Sequence, residues 1–383
     1  MKALKWSQVH AWHVFQHGLF PRLNSRNVVE AVRRTGGIQA QVMSAAELAL
    51  CTRVEGLSPQ EVRSALWQDR TLIKTWAMRG TIHLLSAQEL PLYVAARDWH
   101  VTPAWSNYFA EFGLTTAAQQ DAFLSAIPHV LEQGPLTRQQ LADAVAKHTG
   151  IAQVRDFILS ESWGSPLKPA AYRGDLCFGP GQGQNVTFVN PKLWVGTWQS
   201  SEPEQALKHM ARRYLQTYGP ATPKDFAMWW GGGGQITLAK KVFKSMSDEL
   251  EEVEVEGWRA FALCSTLEPM QRLEVSESLH FLPLFDAHTI GVPRGLEPVL
   301  SQVHKSKVFR PQGWISAVVL INGSVQGVWR STTRRSQTTV KLHLFCSPSA
   351  LIQKQIEAEV ERLSAFFKTK VFLEYEPALS AQL

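Results

Sequence analysis

The chain has little cysteine for its length, no long apolar run and no recognisable metal or nucleotide motif, and each absence removes a class of function. Four cysteines in 383 residues, Cys51, Cys177, Cys264 and Cys346, stand far apart and without metal-ligand spacing. They are expected to be buried thiols in a reducing compartment. No run of about 18 apolar residues exists, so no membrane-crossing helix is expected. The first residues, Met1 to Trp6, lack the apolar core of a signal peptide, which points to a cytoplasmic location. The twelve histidines form no HExxH-like cluster, so neither a metal nor a cofactor is expected. Gly231–Gly234 lacks a following Gly-Lys-Ser/Thr, and Gly179–Gly183 leads into a strand-like segment rather than a helix N-terminus. Neither glycine run suits a mononucleotide phosphate.

What is present is an uneven distribution of charge. Residues 287–345 hold eight basic side chains (Arg294, Lys305, Lys307, Arg310, Arg330, Arg334, Arg335, Lys341) against Glu297, a net of +7. Residues 1–46 hold six (Lys2, Lys5, Arg22, Arg26, Arg33, Arg34) against Glu30, a net of +5. The whole chain is +6, so the remainder sums to −6. Two basic blocks in an otherwise acidic protein suggest a shared polyanionic partner, and the partner expected is double-stranded DNA bound by a monomer.

A repeat organises the middle. Gly134-Pro135-Leu136-Thr137 recurs as Gly219-Pro220-Ala221-Thr222, each after an amphipathic helical pattern and before another. Gly-Pro stops the first helix and the threonine hydroxyl caps the second. Alternating apolar segments then flank Gly-bearing turns: 175–178 with 186–189, and 250–255 with 258–263. Helices followed by a hairpin make a winged helix-turn-helix. A third, weaker copy fits the N-terminus, with helices at 9–15, 25–34 and 39–51 and strands at 72–76 and 81–85. The fold expected is α+β, three tandem winged helix-turn-helix units and a C-terminal β-barrel-like domain. The divisions fall at 1–115, 116–200, 201–278 and 279–383. The 248–256 hairpin carries six acids and would repel phosphate, so that unit reads as scaffold.

Beyond residue 280 the texture turns to strands around Asn322-Gly323, a strong hairpin signal, and a closing helix over 349–367. Upstream, Gln39-Ala40-Gln41 follows Gly36-Gly37-Ile38 and precedes a helix rich in small residues (Ala45, Ala46, Ala49). The tripeptide alone says little. Its setting in the basic N-terminal block, where small residues permit close approach, says more.

Several segments together resemble the AlkZ-type winged-helix DNA glycosylases, bacterial enzymes that unhook interstrand crosslinks and excise N7-alkylated purines. They are Gly37-Ile38-Gln39-Ala40-Gln41, Thr75 to Leu84, Tyr218 to Thr222, Leu282-Pro283-Leu284-Phe285-Asp286, and Val308 to Trp314. The resemblance runs in order from about residue 10 to 375. It implies tandem winged helices and a barrel around a DNA channel, and it maps the catalytic Q-Φ-Q or Q-Φ-D motif onto Gln39 and Gln41, with Ala40 as Φ. It also implies base excision repair by a monofunctional enzyme associated with the nucleoid. An amide has no useful pKa, so neither glutamine can be a general base. Each can hold water and set its dipole against a developing oxocarbenium ion. Arg79, Arg294, Arg310, Arg330, Arg334 and Arg335 are candidates for DNA contact. His83 and His288 could line the cleft but are read as satisfied core or surface histidines. The alternative is a non-enzymatic winged-helix DNA-binding transcription regulator, and a protein-interaction scaffold is a third reading.

Overall fold

A computed structural model describes residues 2–24, 27–98, 100, 102–161, 164–196, 198–273, 277–334 and 337–376. The architecture is α+β, and the chain divides into two compact units: residues 1–62 with 211–383, and residues 63–210.

In the 63–210 unit, five strands lie in the order Ile82–Ser86, Leu72–Trp76, Cys177–Gln182, Asn185–Val189, Leu136–Thr137. Helices Ala117–Val130, Arg138–Thr149 and Gln153–Leu159 pack beneath them around Phe109, Phe123, Ile127, Leu141 and Phe157. Thr137 caps its helix, accepting from the Gln140 amide, while Gln140 returns a bond to the Thr137 amide at 2.9 Å. Thr222 and Asp225 repeat this box on helix Pro223–Gly231. The residue between Pro and Thr has the same place in both copies. Leu136 pairs antiparallel with Phe188, and Ala221 with Phe261, on the second strand of the hairpin that follows.

In the other unit, hairpin Leu250–Val255/Trp258–Leu263 is joined by a strand that the charge pattern did not reveal. Lys2–Leu4 pairs parallel to the acidic strand, and Lys2 lies 3.2 Å from Glu251. The C-terminal sheet runs Leu279–Leu282, Ala317–Ile321, Ser324–Arg334, Gln337–Leu344, Lys370–Tyr375. It has two ends and does not close into a barrel among the described residues. Strand Ala317–Ile321 is buried throughout, so its period of two divides it between two cores. Val319 and Ile321 face helix Ala350–Phe367 and Leu48, whereas Val318 and Leu320 face Val14, Leu19 and Phe285. Ser349 caps the long helix at the Ile352 amide.

The buried charges between these layers are paired, while both ring nitrogens of His280 and of His288 and the Arg53 Nε find no hydrogen-bond partner. Arg53 and Asp286, both without solvent exposure, form a two-pronged bridge with Nη1–Oδ2 and Nη2–Oδ1 at 2.8 Å. Arg53 also donates to the Ala49 carbonyl at 2.9 Å, and the His288 amide donates to Asp286 at 2.9 Å. Glu359 is buried and accepts from Arg22, from Arg362 and from the Phe281 amide. Burial, the largest influence, raises its pKa, but Arg362, His280 and Arg22 together outweigh it and hold the carboxyl below its ordinary value.

Around the Arg53 pair lie buried His10, His13, His17, His280 and His288. Burial is the first cause of their depressed pKa values, to about 3 for His10 and about 4 for His13 and His280. His17 and His288 are pushed well below the ordinary value by burial, and neighbouring histidines and Arg53 add to it. Two of the thiols depart from expectation. Cys177 is buried and Cys51 partly so, but Cys264 and Cys346 are exposed, because they sit where a helix begins and where a strand ends.

Asp286→Ala leaves a buried guanidinium uncompensated and is expected to cost about 3–5 kcal/mol, read as a lower denaturant midpoint. The double variant Arg53→Met/Asp286→Leu recovers most of that loss, since it removes both charges. A single variant within about 0.5 kcal/mol of the parent would refute the role given to the pair.

The histidines set a pH dependence. Their folded pKa values lie below the unfolded 6.5, so below pH 6.5 the unfolded chain takes up protons that the native state refuses. Stability is therefore level above pH 6.5 and falls on acidification towards pH 4, each histidine contributing at most about 1.4 kcal/mol per pH unit. Chemical unfolding at pH 7.5, 6.5 and 5 checks this; equal stability at 6.5 and 5 would contradict it.

Candidate active site

The Gln39–Gln41 motif is held in place from its N-terminal side. Helix Val28–Arg34 ends at Thr35, and Gly36 and Gly37 follow with φ of +66° and +105°. A Cβ on Gly36 would stand 2.8 Å from the Trp229 ring, so the turn demands glycine both for conformation and for space. Helix Pro203–Tyr218 grips the carbonyls at the end of Val28–Arg34. Arg213 donates to the Arg33 carbonyl, Thr217 to that of Arg34, and Tyr218, fully buried, to that of Thr35 at 2.7 Å.

Out of that turn comes a two-residue strand, Ile38–Gln39, and then helix Met43–Arg53. The helix begins at Met43, four residues later than the expected start at Gln39, so Gln39 lies in the short strand and Gln41 in the bend ahead of the helix. Gln39 is buried at 8% exposure, Ala40 is buried at 1%, and Gln41 is exposed. The pair thus presents one amide within the protein and one at its surface. Ala45, Ala46 and Ala49 are buried on the helix, as the small-residue pattern suggested. Its far end is Arg53, clamped to Asp286, and Arg362 reaches the Thr52 hydroxyl at 3.1 Å.

Glu47 is a residue that the sequence reading passed over. It is 2% exposed, on the same helix. The signal was there: a single carboxylate among Ala45, Ala46, Leu48 and Ala49.

The arginines differ widely in setting. Arg79 lies in the tight turn Met78–Gly80 at φ +56°, with Nη2 2.9 Å from His83 Nε2. His83 is buried, and burial followed by the charge of Arg79 pushes its pKa well below the ordinary value. It is therefore neutral. Nδ1–H donates to the Thr81 carbonyl at 3.0 Å, which leaves Nε2 to accept from Arg79 and orient it. Arg294 is half-buried, stacked 4.8 Å over Phe309 and bonded to the Ile290 carbonyl at 3.1 Å. It lines a cavity of about 550 Å³ with Lys224 and Lys305. Arg310 and Arg334 are exposed. Arg330 is exposed and paired with Glu376. Arg335 lies outside the described residues. His288 belongs to the buried network around Arg53. No group of three or more His, Cys, Asp or Glu suited to a metal ion occurs among the described residues. No helix there is long and apolar enough to cross a membrane.

The family model described as DNA glycosylase AlkZ-like matches residues 32–366. An interstrand DNA cross-link repair glycosylase of Streptomyces sahachiroi is 36% identical over 336 residues, 86% of this chain and 88% of that protein. The solved structure of Streptomyces sahachiroi DNA glycosylase AlkZ aligns with a TM-score of 0.86 and 33% identity, covering 98% of this chain and 100% of that one. The chain belongs to the AlkZ-like DNA glycosylase family, whose members are hydrolases of N-glycosyl bonds. That membership disfavours the regulator reading.

Proposed function

We propose that this protein is a monofunctional glycosylase that excises N7-alkylated purines, including bulky adducts and interstrand crosslinks, from double-stranded DNA. The carrying observation is the Gln39–Gln41 pair, held rigidly on both flanks and consisting of amides. Such a pair cannot abstract a proton from water. It can position that water through carbonyl oxygens and stabilise positive charge growing on the sugar. This chemistry suffices when the leaving group is already activated, and N7 alkylation makes a purine cationic. The Streptomyces relative, named for interstrand cross-link repair, supports the same substrate class.

The helix-then-hairpin order in 116–200 and 201–278, with matched pairings at Leu136 and Ala221, supports winged-helix units there. A third is proposed within 1–115, and 279–383 is proposed as an open, barrel-like wall. Arg79, Arg294, Arg310, Arg330, Arg334 and Arg335 are proposed to meet the DNA. The enzyme is proposed to act as a monomer associated with the nucleoid.

Gln39→Ala and Gln41→Ala should each lower excision of N7-methylguanine by about tenfold to a thousandfold, a loss of about 2–4 kcal/mol of transition-state stabilisation. DNA affinity should stay near that of the parent, and the double variant should lose less than the product of the singles. Alkali-induced strand breaks measure the rates. Full activity in the double variant would end the assignment. Gln41→Asp supplies a base and should extend excision towards less activated adducts.

Binding of undamaged duplex should weaken steeply with salt, because phosphate contacts release counterions. Arg310→Ala and Arg334→Ala should each shrink the log–log salt slope by about one. Glu252→Lys, on the hairpin covered by Lys2–Leu4, should leave it as it was. Affinity independent of salt would eliminate a phosphate-lined interface.

A further inference from the structure

A cavity of about 180 Å³ opens beside the glutamine motif and is not accounted for by the chemistry above. It is lined by Val42, Ser44, Ala45 and Leu48, from the motif helix and its lead-in residue, and by Trp329 of the sheet and Phe366 and Phe367 of the long helix. Val42 directly follows Gln41, so whatever enters the cavity is brought next to the reacting centre. Phe366 and Phe367 contact each other edge to face with centroids 5.2 Å apart, and both are only partly buried. Ser44 is exposed at the mouth, and Arg330 and Ser331 complete the rim.

We infer that this cavity receives the apolar, aromatic part of the substituent on an alkylated base, while the base itself stays outside. The inference rests on the glycosylase reading, and three observations direct it. First, the size is right: an apolar cavity of about 150 Å³ is enough to take benzene, so this one holds a single ring or a short chain. Second, its interior is poor in hydrogen-bonding groups. The Trp329 indole N–H is already spent on the Leu282 carbonyl at 2.9 Å. A purine carries donors and acceptors around its edge, and burying them against Leu48, Trp329 and Phe367 would leave them unsatisfied. A hydrocarbon ring carries none. Third, the helix bearing Ser44, Ala45 and Leu48 is fixed at its far end by the Arg53–Asp286 bridge, and Trp329 sits in the core of the sheet. The walls are thus largely preformed, and little ordering is needed on binding. The cavity would select among adducts by what hangs from N7 and leave the excised base type to the motif.

The test uses the full chain and three matched duplexes: undamaged, carrying N7-methylguanine, and carrying N7-benzylguanine. In the binding arm the lesion nucleotides have 2′-fluorinated sugars, which slow excision, so affinity is read without turnover. The parent protein should bind the benzyl duplex about tenfold more tightly than the methyl duplex, as expected for burying one ring. Ser44→Trp, which fills the mouth, should reduce that ratio to about twofold or less. Phe367→Ala, at a residue that lines the cavity from the long helix, should lower the ratio in the same direction. With ordinary sugars, the benzyl-to-methyl ratio of kcat/KM should fall in parallel. A parent that does not distinguish benzyl from methyl overturns the proposal. So do variants that weaken both adducts equally, since that points to damage at the motif. If the parent keeps the binding preference but excises neither adduct, the glycosylase reading fails while the cavity assignment stands.

Discussion

The Arg53–Asp286 bridge is the constraint on which the site depends. It joins the last residue of the motif helix to the turn that follows the first strand of the C-terminal sheet, without solvent on either side chain. Two charges are expensive to bury, and their attraction offsets that only when geometry is good and the remaining donors are used. Here both terminal nitrogens of the guanidinium meet both carboxylate oxygens, Ala49 takes one further bond, and the His288 amide serves Asp286, while the Arg53 Nε stays without a hydrogen-bond partner. The surrounding histidines follow from this arrangement. Burial first, then the neighbouring histidines and the fixed guanidinium, hold the His17 and His288 pKa values well below the ordinary value, so both stay neutral. Such a bridge is weak evidence of high stability. Its effect is to fix the angle and register of one helix against one sheet.

With that end fixed, the opposite end matters equally. Arg213, Thr217 and Tyr218 occupy the last carbonyls of Val28–Arg34, groups that a helix end otherwise leaves to water. The chain then turns through two glycines in left-handed or unusual backbone and enters Ile38–Gln39. The motif is thereby suspended between two anchored points, and the few residues of strand and bend between them have little freedom. Catalysis by dipoles requires such a frame, because an amide that must reorient at the moment of reaction gives back most of its electrostatic benefit.

Much of the fold was legible because it is encoded locally. The 250–255/258–263 hairpin, strand Leu72–Trp76 and the 349–367 helix were readable from alternation, helical periodicity and turn residues, and both Gly-Pro-x-Thr caps formed as their chemistry requires. What could not be read depends on distant partners. Lys2–Leu4 is three residues long and acquires strand character only from the acidic hairpin some 250 positions away. Arg53 looks like an ordinary helix-terminal cation in sequence; its burial depends on Asp286. Charge alone groups Arg294 with exposed arginines, yet it is half-buried, over Phe309 and bonded to a backbone carbonyl. For the site, the motif was visible, but the difference in burial between its two glutamines was not, because the strand bearing Gln39 gives way to irregular backbone before the helix begins.

That difference has a chemical consequence. Gln39 is almost enclosed, where the effective dielectric is low and a fixed dipole acts strongly on a nearby charge. Gln41 is exposed, where bulk water screens the same dipole but is also at hand to be captured. In the proposed reaction the two amides therefore differ in weight. The buried one acts mainly on the sugar cation, and the exposed one mainly on the nucleophile. An aspartate at position 41 would carry a full charge at the more hydrated position, where its desolvation cost is smallest, whereas a carboxylate at position 39 would have to be buried. The physical asymmetry of the motif thus accounts for which of its two positions can accommodate an acid.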